Sequence, residues 1–185
     1  MPLVHTEAEL LTVADYLATP EGGRFQLIEG ELIMAPAPRL HHQKILWNLS
    51  QIFARYLADH PLGEAFFAPC DVYLSEHDVL QPDLFFVAKA NLGKLADDGL
   101  HGAPDLAVEI LSPSSAQLDK KTKRRLYARH GAKELWLVDP FLLQIQIYDF
   151  ARDSAKPARI LEEDETFTTP LLPGLKVKAA EDFKR

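Results

Sequence analysis

The run from Asp105 to Leu111, DLAVEIL, constrains this chain more than any other segment. It is apolar almost throughout, the pattern of a strand covered on both sides. Strand alternation puts Leu106, Val108 and Ile110 on one face and Asp105, Ala107, Glu109 and Leu111 on the other. Glu109 therefore sits in mid-strand among apolar neighbours. A lone ionised carboxylate there is costly, so it must be paired, protonated or bound to a metal. A second run, KELWLVDP at 133–140, predicts another buried strand, and LLQIQIYDF at 142–150 alternates as its partner.

The rest of the pattern surrounds these strands with helices. Thr6 and Glu9 fit a capping box, with Leu10, Leu11, Ala14 and Leu17 or Ala18 following at helical spacing. FQLIEGELIMA at 25–35 predicts a hairpin turning at Glu29-Gly30-Glu31. Ile45, Leu46, Leu49, Ile52, Phe53, Tyr56 and Leu57 predict an amphipathic helix from His41 to about Ala58. EAFFA, CDVYL and VLQPDLFFVA read as short strands. A helix from about Ser115 to His130 ends at Gly131, with Ser112, Ser114 or Ser115 able to cap its start. Weaker strands follow around 158–161 and 167–169. The expected fold class is α/β (α+β): a mixed β-sheet flanked by α-helices. At 185 residues, with no long linker, the expectation is one domain over 1–185.

Composition excludes several classes. At 47% hydrophobic and 25% charged the chain is neither disordered nor collagen-like. Cys70 is the single cysteine, so no intramolecular disulfide or cysteine-rich zinc site can form. No apolar run approaches the ~20 residues that span a bilayer. The N-terminal segment lacks the basic and apolar regions of a signal peptide, so a cytoplasmic location without membrane contact is expected. The net charge is −7, yet seven basic residues and only two acidic ones fall between Asp119 and Glu134. That segment is either a solvated helix face or a surface for phosphates.

Asp83 repeats the anomaly of Glu109. It follows Pro82 and precedes another apolar strand, LFFVA. Alone it reads as a polar strand-start residue. Paired with Glu109 it suggests a shared hard-cation site, since magnesium takes one or two protein carboxylates and completes its shell with water and phosphate oxygens. On the helix after Glu109, Asp119, Lys123 and Tyr127 fall at i, i+4 and i+8. The stripe is either a salt bridge above a packing ring or a lysine delivered back toward the carboxylates.

These residues carry a resemblance. The run 104–140, PDLAVEILSPSSAQLDKKTKRRLYARHGAKELWLVDP, resembles the signature of the Uma-type endonuclease family, within the PD-(D/E)xK restriction-endonuclease-like superfamily. FQLIEGELIMAPAPRLHHQ and QPDLFFV extend the match over most of the chain. The resemblance implies a restriction-endonuclease-like core, with the superfamily acids at Asp83 and Glu109. The usual lysine, two residues beyond the glutamate, is replaced by Leu111. The resemblance implies a lysine relocated to the helix: Lys123 by its spacing, or else Lys121. Glu29 and His42 also match recurrent family positions, as structural or accessory residues.

The expected activity is Mg²⁺- or Mn²⁺-dependent hydrolysis of phosphodiester bonds in DNA. Asp83, Glu109 and Lys123 would be catalytic, with Asp83 and Glu109 on the metal. Lys120, Lys121 and Arg124 would contact phosphates. Two alternatives belong to other classes: a nuclease-like fold that only binds nucleic acid or protein, and a phosphoesterase for small molecules. The resemblance also suggests a homodimer, as does the broad strand surface of 133–150.

Overall fold

The computed structural model describes residues 10–20, 24–113, 115–162 and 165–178. The capping box expected at Thr6 and Glu9 lies outside these residues. The first described helix, α1 (Val13–Leu17), is capped instead by Asp15, whose carboxylate accepts the Thr12 N–H at 2.8 Å. The predicted hairpin forms as β1 (Phe25–Ile28) and β2 (Glu31–Met34). Its turn places Glu29 at φ 52° and Gly30 at φ 78°, the positive-φ pair that suits a tight hairpin.

The long helix follows as α2 (Leu40–Asp59), one residue beyond expectation at each end. Next come β3 (Gly63–Phe67), β4 (Val72–Ser75), β5 (Asp78–Leu80) and β6 (Leu84–Ala88). A 3-10 turn at Lys89–Lys94 leads into β7 (Leu95–Ala96) and β8 (Gly99–His101), and then into β9 (Leu106–Ile110). The predicted second helix is continuous but has three parts. These are α3 (Ala116–Leu118), a π-helical segment (Asp119–Lys123) and α4 (Arg124–Arg129). Gly131, at φ 90°, follows its end as expected. The chain closes with β10 (Glu134–Asp139), β11 (Gln144–Asp149), β12 (Arg159–Leu161), β13 (Thr166–Thr169) and β14 (Leu172–Lys178).

The expected mixed sheet flanked by helices is present, and among the described residues a second six-stranded sheet and a two-stranded ribbon accompany it. The central sheet runs β12-β11-β10-β9-β6-β3, with β9 and β10 parallel and every other neighbouring pair antiparallel. The second runs β2-β1-β5-β4-β8-β7. VLQPDLFFVA is divided between the two sheets, β5 in one and β6 in the other, because Pro82 cannot donate to a ladder.

Both faces of the central sheet are covered, as the two-sided apolar pattern demands. On one face Leu106, Val108 and Ile110 meet Ile45, Leu49 and Phe53 of α2. On the other, Ala107 and Leu111 share a core with Leu126 and Tyr127 of α4 and with Val72, Leu80 and Leu100 of the second sheet. Fully burying such side chains contributes roughly 1.5–3 kcal/mol apiece. The strand surface of 133–150, expected to meet a second copy, is covered from within the chain. Phe167, Leu172, Leu175 and Val177 of the β13-β14 ribbon pack on Trp136, Ile145 and Ile147.

Candidate active site

Three elements meet at the C-terminal end of β9. Leu84 of β6 is registered opposite Val108 of β9. One step further along this antiparallel pair, Asp83 stands beside Glu109. The backbone N–H of Ile110 donates to Asp83 Oδ2 at 2.6 Å, which fixes that carboxylate against the end of β9. The helical stretch from Ala116 then returns over the Glu109 face of the sheet.

Lys123 Nζ donates to Glu109 Oε2 at 3.0 Å, and the Tyr127 hydroxyl donates to Glu109 Oε1 at 2.8 Å. Lys123 Nζ also lies 3.1 Å from Asp119 Oδ1. The π-helical segment explains how one helix delivers all three. In a regular α-helix each i to i+4 step drifts by roughly 40°. A wider turn over Asp119–Lys123 absorbs part of that drift and keeps Asp119, Lys123 and Tyr127 on the inward face.

The inner part of the site is buried. Glu109 and Asp119 are each 2% exposed, Lys123 4% and Tyr127 0%. Asp83 and His42 form the open rim, with His42 Nε2 3.2 Å from Asp83 Oδ1. Burial works against a charged His42 ring, but the neighbouring Asp83 carboxylate outweighs it and holds the imidazole above its usual range.

One lysine faces three carboxylates. Burial pushes the Glu109 carboxyl up to about 8; Lys123 opposes this, while Asp119 and Asp83 add to it. Burial also works against a charged Lys123. Glu109, Asp119 and Asp83 reverse the balance and keep it an ammonium. Burial dominates the shift of Glu109, and the surrounding carboxylates dominate that of Lys123. A divalent cation beside Glu109 would favour its ionised form, as a nearby opposite charge does. Among the described residues no three His, Cys, Asp or Glu side chains form a ready cation cage. Two carboxylates, Glu109 on β9 and Asp83 just before β6, are nevertheless the donor number and type that magnesium uses, so the residues fit such an ion.

The match to a family model spans residues 13–180 and is to Uma2, described as "Putative restriction endonuclease". The chain belongs to the Uma2 family. It is 26% identical over 157 residues to the uncharacterized protein sll1609 of Synechocystis sp., covering 82% of this chain and 87% of that one. It also superposes on a crystal structure titled as a putative nuclease belonging to DUF820, from Anabaena variabilis. There the TM-score is 0.77 at 21% identity, over 94% of this chain and 97% of the other. That likeness shows a shared fold, a mixed sheet flanked by helices.

In this Uma2 chain the remaining sequence candidates are dispersed. Lys121 is exposed to solvent while Lys123 points inward. Leu111, where the superfamily lysine would stand, is buried in the core. Lys120 Nζ pairs with Asp139 Oδ2 at 3.2 Å. Arg124 donates to the Lys120 and Ser154 carbonyls, and its guanidinium lies 5.3 Å from the Tyr148 ring centroid. Much of the basic run thus has partners within the chain. Glu29 joins the second sheet to α4, receiving Arg125 Nη2 at 2.6 Å on Oε1 and 2.7 Å on Oε2. Ser112 Oγ accepts the Ser115 N–H at 3.2 Å, and Ser114 lies outside the described residues.

The sequence reading did not assign Asp119 or Tyr127 to the site itself. Their spacing with Lys123 was the available signal. The π-helical segment that aligns them has no marker in the sequence.

Proposed function

We propose that this chain is a divalent-metal-dependent endonuclease that hydrolyses phosphodiester bonds in DNA. The observation that carries the reading is Lys123 Nζ at 3.0 Å from Glu109 Oε2, beside Asp83. A lysine from the following helix fills the place left by Leu111. Family membership and the fold support the nuclease class.

Asp83 and Glu109 would hold Mg²⁺ or Mn²⁺, which when bound polarises a phosphodiester and makes hydroxide accessible near neutral pH. The Ile110 N–H and His42 orient Asp83, and Tyr127 orients Glu109. Lys123, buried and kept charged by its carboxylate neighbours, stabilises the negative charge that develops on the phosphate oxygens. Lys121 contacts the DNA backbone; Lys120 and Arg124 do so on exchanging their internal partners. The molecule acts in the cytoplasm as one restriction-endonuclease-like unit spanning 1–185, and as a homodimer. The family resemblance carries the dimer now that the ribbon covers the 133–150 surface. Sedimentation as a monomer at micromolar concentration would refute it. Among the described residues no helix is long and apolar enough to cross a membrane.

The test is cleavage of plasmid and single-stranded DNA with Mg²⁺ or Mn²⁺ beside a filter-binding assay. Metal-dependent cutting is the expected result. Binding without cutting at any pH overturns the nuclease reading in favour of a nucleic-acid-binding module, an outcome that the buried Leu111 makes worth measuring. Neither binding nor cutting points to a small phosphoester substrate.

A further inference from the structure

Lys123 has two carboxylate partners with different geometry. Its aligned hydrogen bond goes to Glu109 Oε2 at 3.0 Å. Asp119 Oδ1 is equally close, at 3.1 Å, but is buried without an aligned hydrogen bond. Nearly all of the Asp119 side chain is out of solvent, on the same π-helical segment as Lys123. Each Glu109 oxygen already accepts a hydrogen bond, Oε1 from Tyr127 and Oε2 from Lys123. A cation sharing Oε2 would repel the Lys123 ammonium bonded to that same oxygen. Tyr127 is fully buried. Lys123 has an alternative acceptor already within reach.

We propose that Asp119 is a positioning residue: it receives Lys123 when a divalent cation engages Glu109, and so keeps the ammonium inside the site. The inference rests on the metal-dependent reading above and adds a residue to it. Without the Asp119 carboxylate, the displaced ammonium would be a buried charge next to a cation, with only a neutral acceptor. Leaving one member of a buried ion pair uncompensated is strongly unfavourable. Asp119 thus acts on cation affinity through Lys123, not by touching the ion.

That indirect route can be separated from simple loss of negative charge. Mn²⁺ affinity would be measured by calorimetry, without DNA, for wild type, Asp119→Asn, Lys123→Met and the double variant, each checked for folding by circular dichroism. Asp119→Asn should weaken Mn²⁺ binding by roughly tenfold or more, given coupling energies within one charge network. Lys123→Met should strengthen it by removing the competitor for Glu109 Oε2. The double variant should bind like Lys123→Met, so that the second substitution rescues the first. Equal weakening by Asp119→Asn in both backgrounds overturns the proposal, because Asp119 would then act on the ion directly. Unchanged or weaker binding in Lys123→Met overturns it independently, including where Asp119→Asn does not fold. A wild type that binds no Mn²⁺ overturns the metal reading itself. A wild type that binds, with additive variants, overturns only the role of Asp119.

Discussion

A buried ammonium survives only where anions surround it, and Lys123 is such a case. Its neighbour on the same helix, Lys121, is open to solvent. The two should separate cleanly in kinetics. Lys123→Ala should lower DNA cleavage by ~10²-fold or more, as for other donors aimed at developing charge, with little change in DNA affinity. Lys121→Ala should weaken binding across sequences and flatten the salt slope by about one unit, with the chemical step intact. Normal cleavage by Lys123→Ala would move the chemistry elsewhere. A purely structural acid makes a useful contrast. Asp105 accepts hydrogen bonds from the Ala88 N–H at 2.7 Å and from Asn91, and it pairs with Lys133 at 2.7 Å. Burial alone would raise its carboxyl, but these donors hold it below its ordinary value of 3.8. A depressed folded value means that the carboxylate stabilises the fold above the ordinary value. That contribution drains away as pH falls from there through the lower folded value. Asp105→Asn should therefore cost on the order of 1 kcal/mol at pH 7 and less at pH 3. Urea midpoints at the two pH values measure this; an equal deficit at both would count against it.

Among the elements, α2 shows how local pattern becomes packing. Its apolar stripe was readable because Ile45, Leu49 and Phe53 recur at helical spacing, and all three are completely buried. Phe53 lies 5.8 Å from Trp136, centroid to centroid. Phe53→Ala should cost about 3–5 kcal/mol with an unchanged denaturant slope, and equilibrium unfolding in urea would show it. The strand β9 was equally legible, since the alternation of Leu106, Val108 and Ile110 against Ala107, Glu109 and Leu111 names the two cores it divides. Other elements left weaker marks. β7 and β8 are two and three residues long, too short for a period to register. In β14 the exposed Pro173 and Gly174 interrupt the alternation. Glu134, buried with Thr169 Oγ1 donating to Oε1 and Trp136 Nε1 donating to Oε2, joins β10 to the ribbon through a contact that spacing along the chain does not announce. The acids of the candidate site stood out because charge is conspicuous in an apolar strand. The partners of the basic run did not, because a surface lysine and one folded onto Asp139 look alike in sequence.

For the whole molecule, cation uptake and stability are linked. An ion that binds the native state alone stabilises it by about 2.7 kcal/mol at a hundred times its dissociation constant. Mg²⁺ or Mn²⁺ should therefore raise the melting temperature of wild type, and Asp83→Asn should remove most of the rise. An unchanged metal response in both Asp83→Asn and Glu109→Gln would exclude these acids as ligands. Without metal, Asp83→Asn should melt above wild type, because it relieves repulsion on the neighbouring Glu109 carboxylate.

The way the site is stitched together also bears on how the chain reaches it. The Ile110–Asp83 bond closes 27 residues and the Arg125–Glu29 pair closes 96. Contacts of such separation must meet their loop-closure cost before they return any energy, and folds rich in them fold slowly. The helix of α2 can form locally, whereas Asp83, Glu109 and Lys123 meet only once β6, β9 and the π-helical segment have docked. Competence for chemistry therefore rests on contacts that only complete docking supplies, and it should be among the last properties a folding chain acquires.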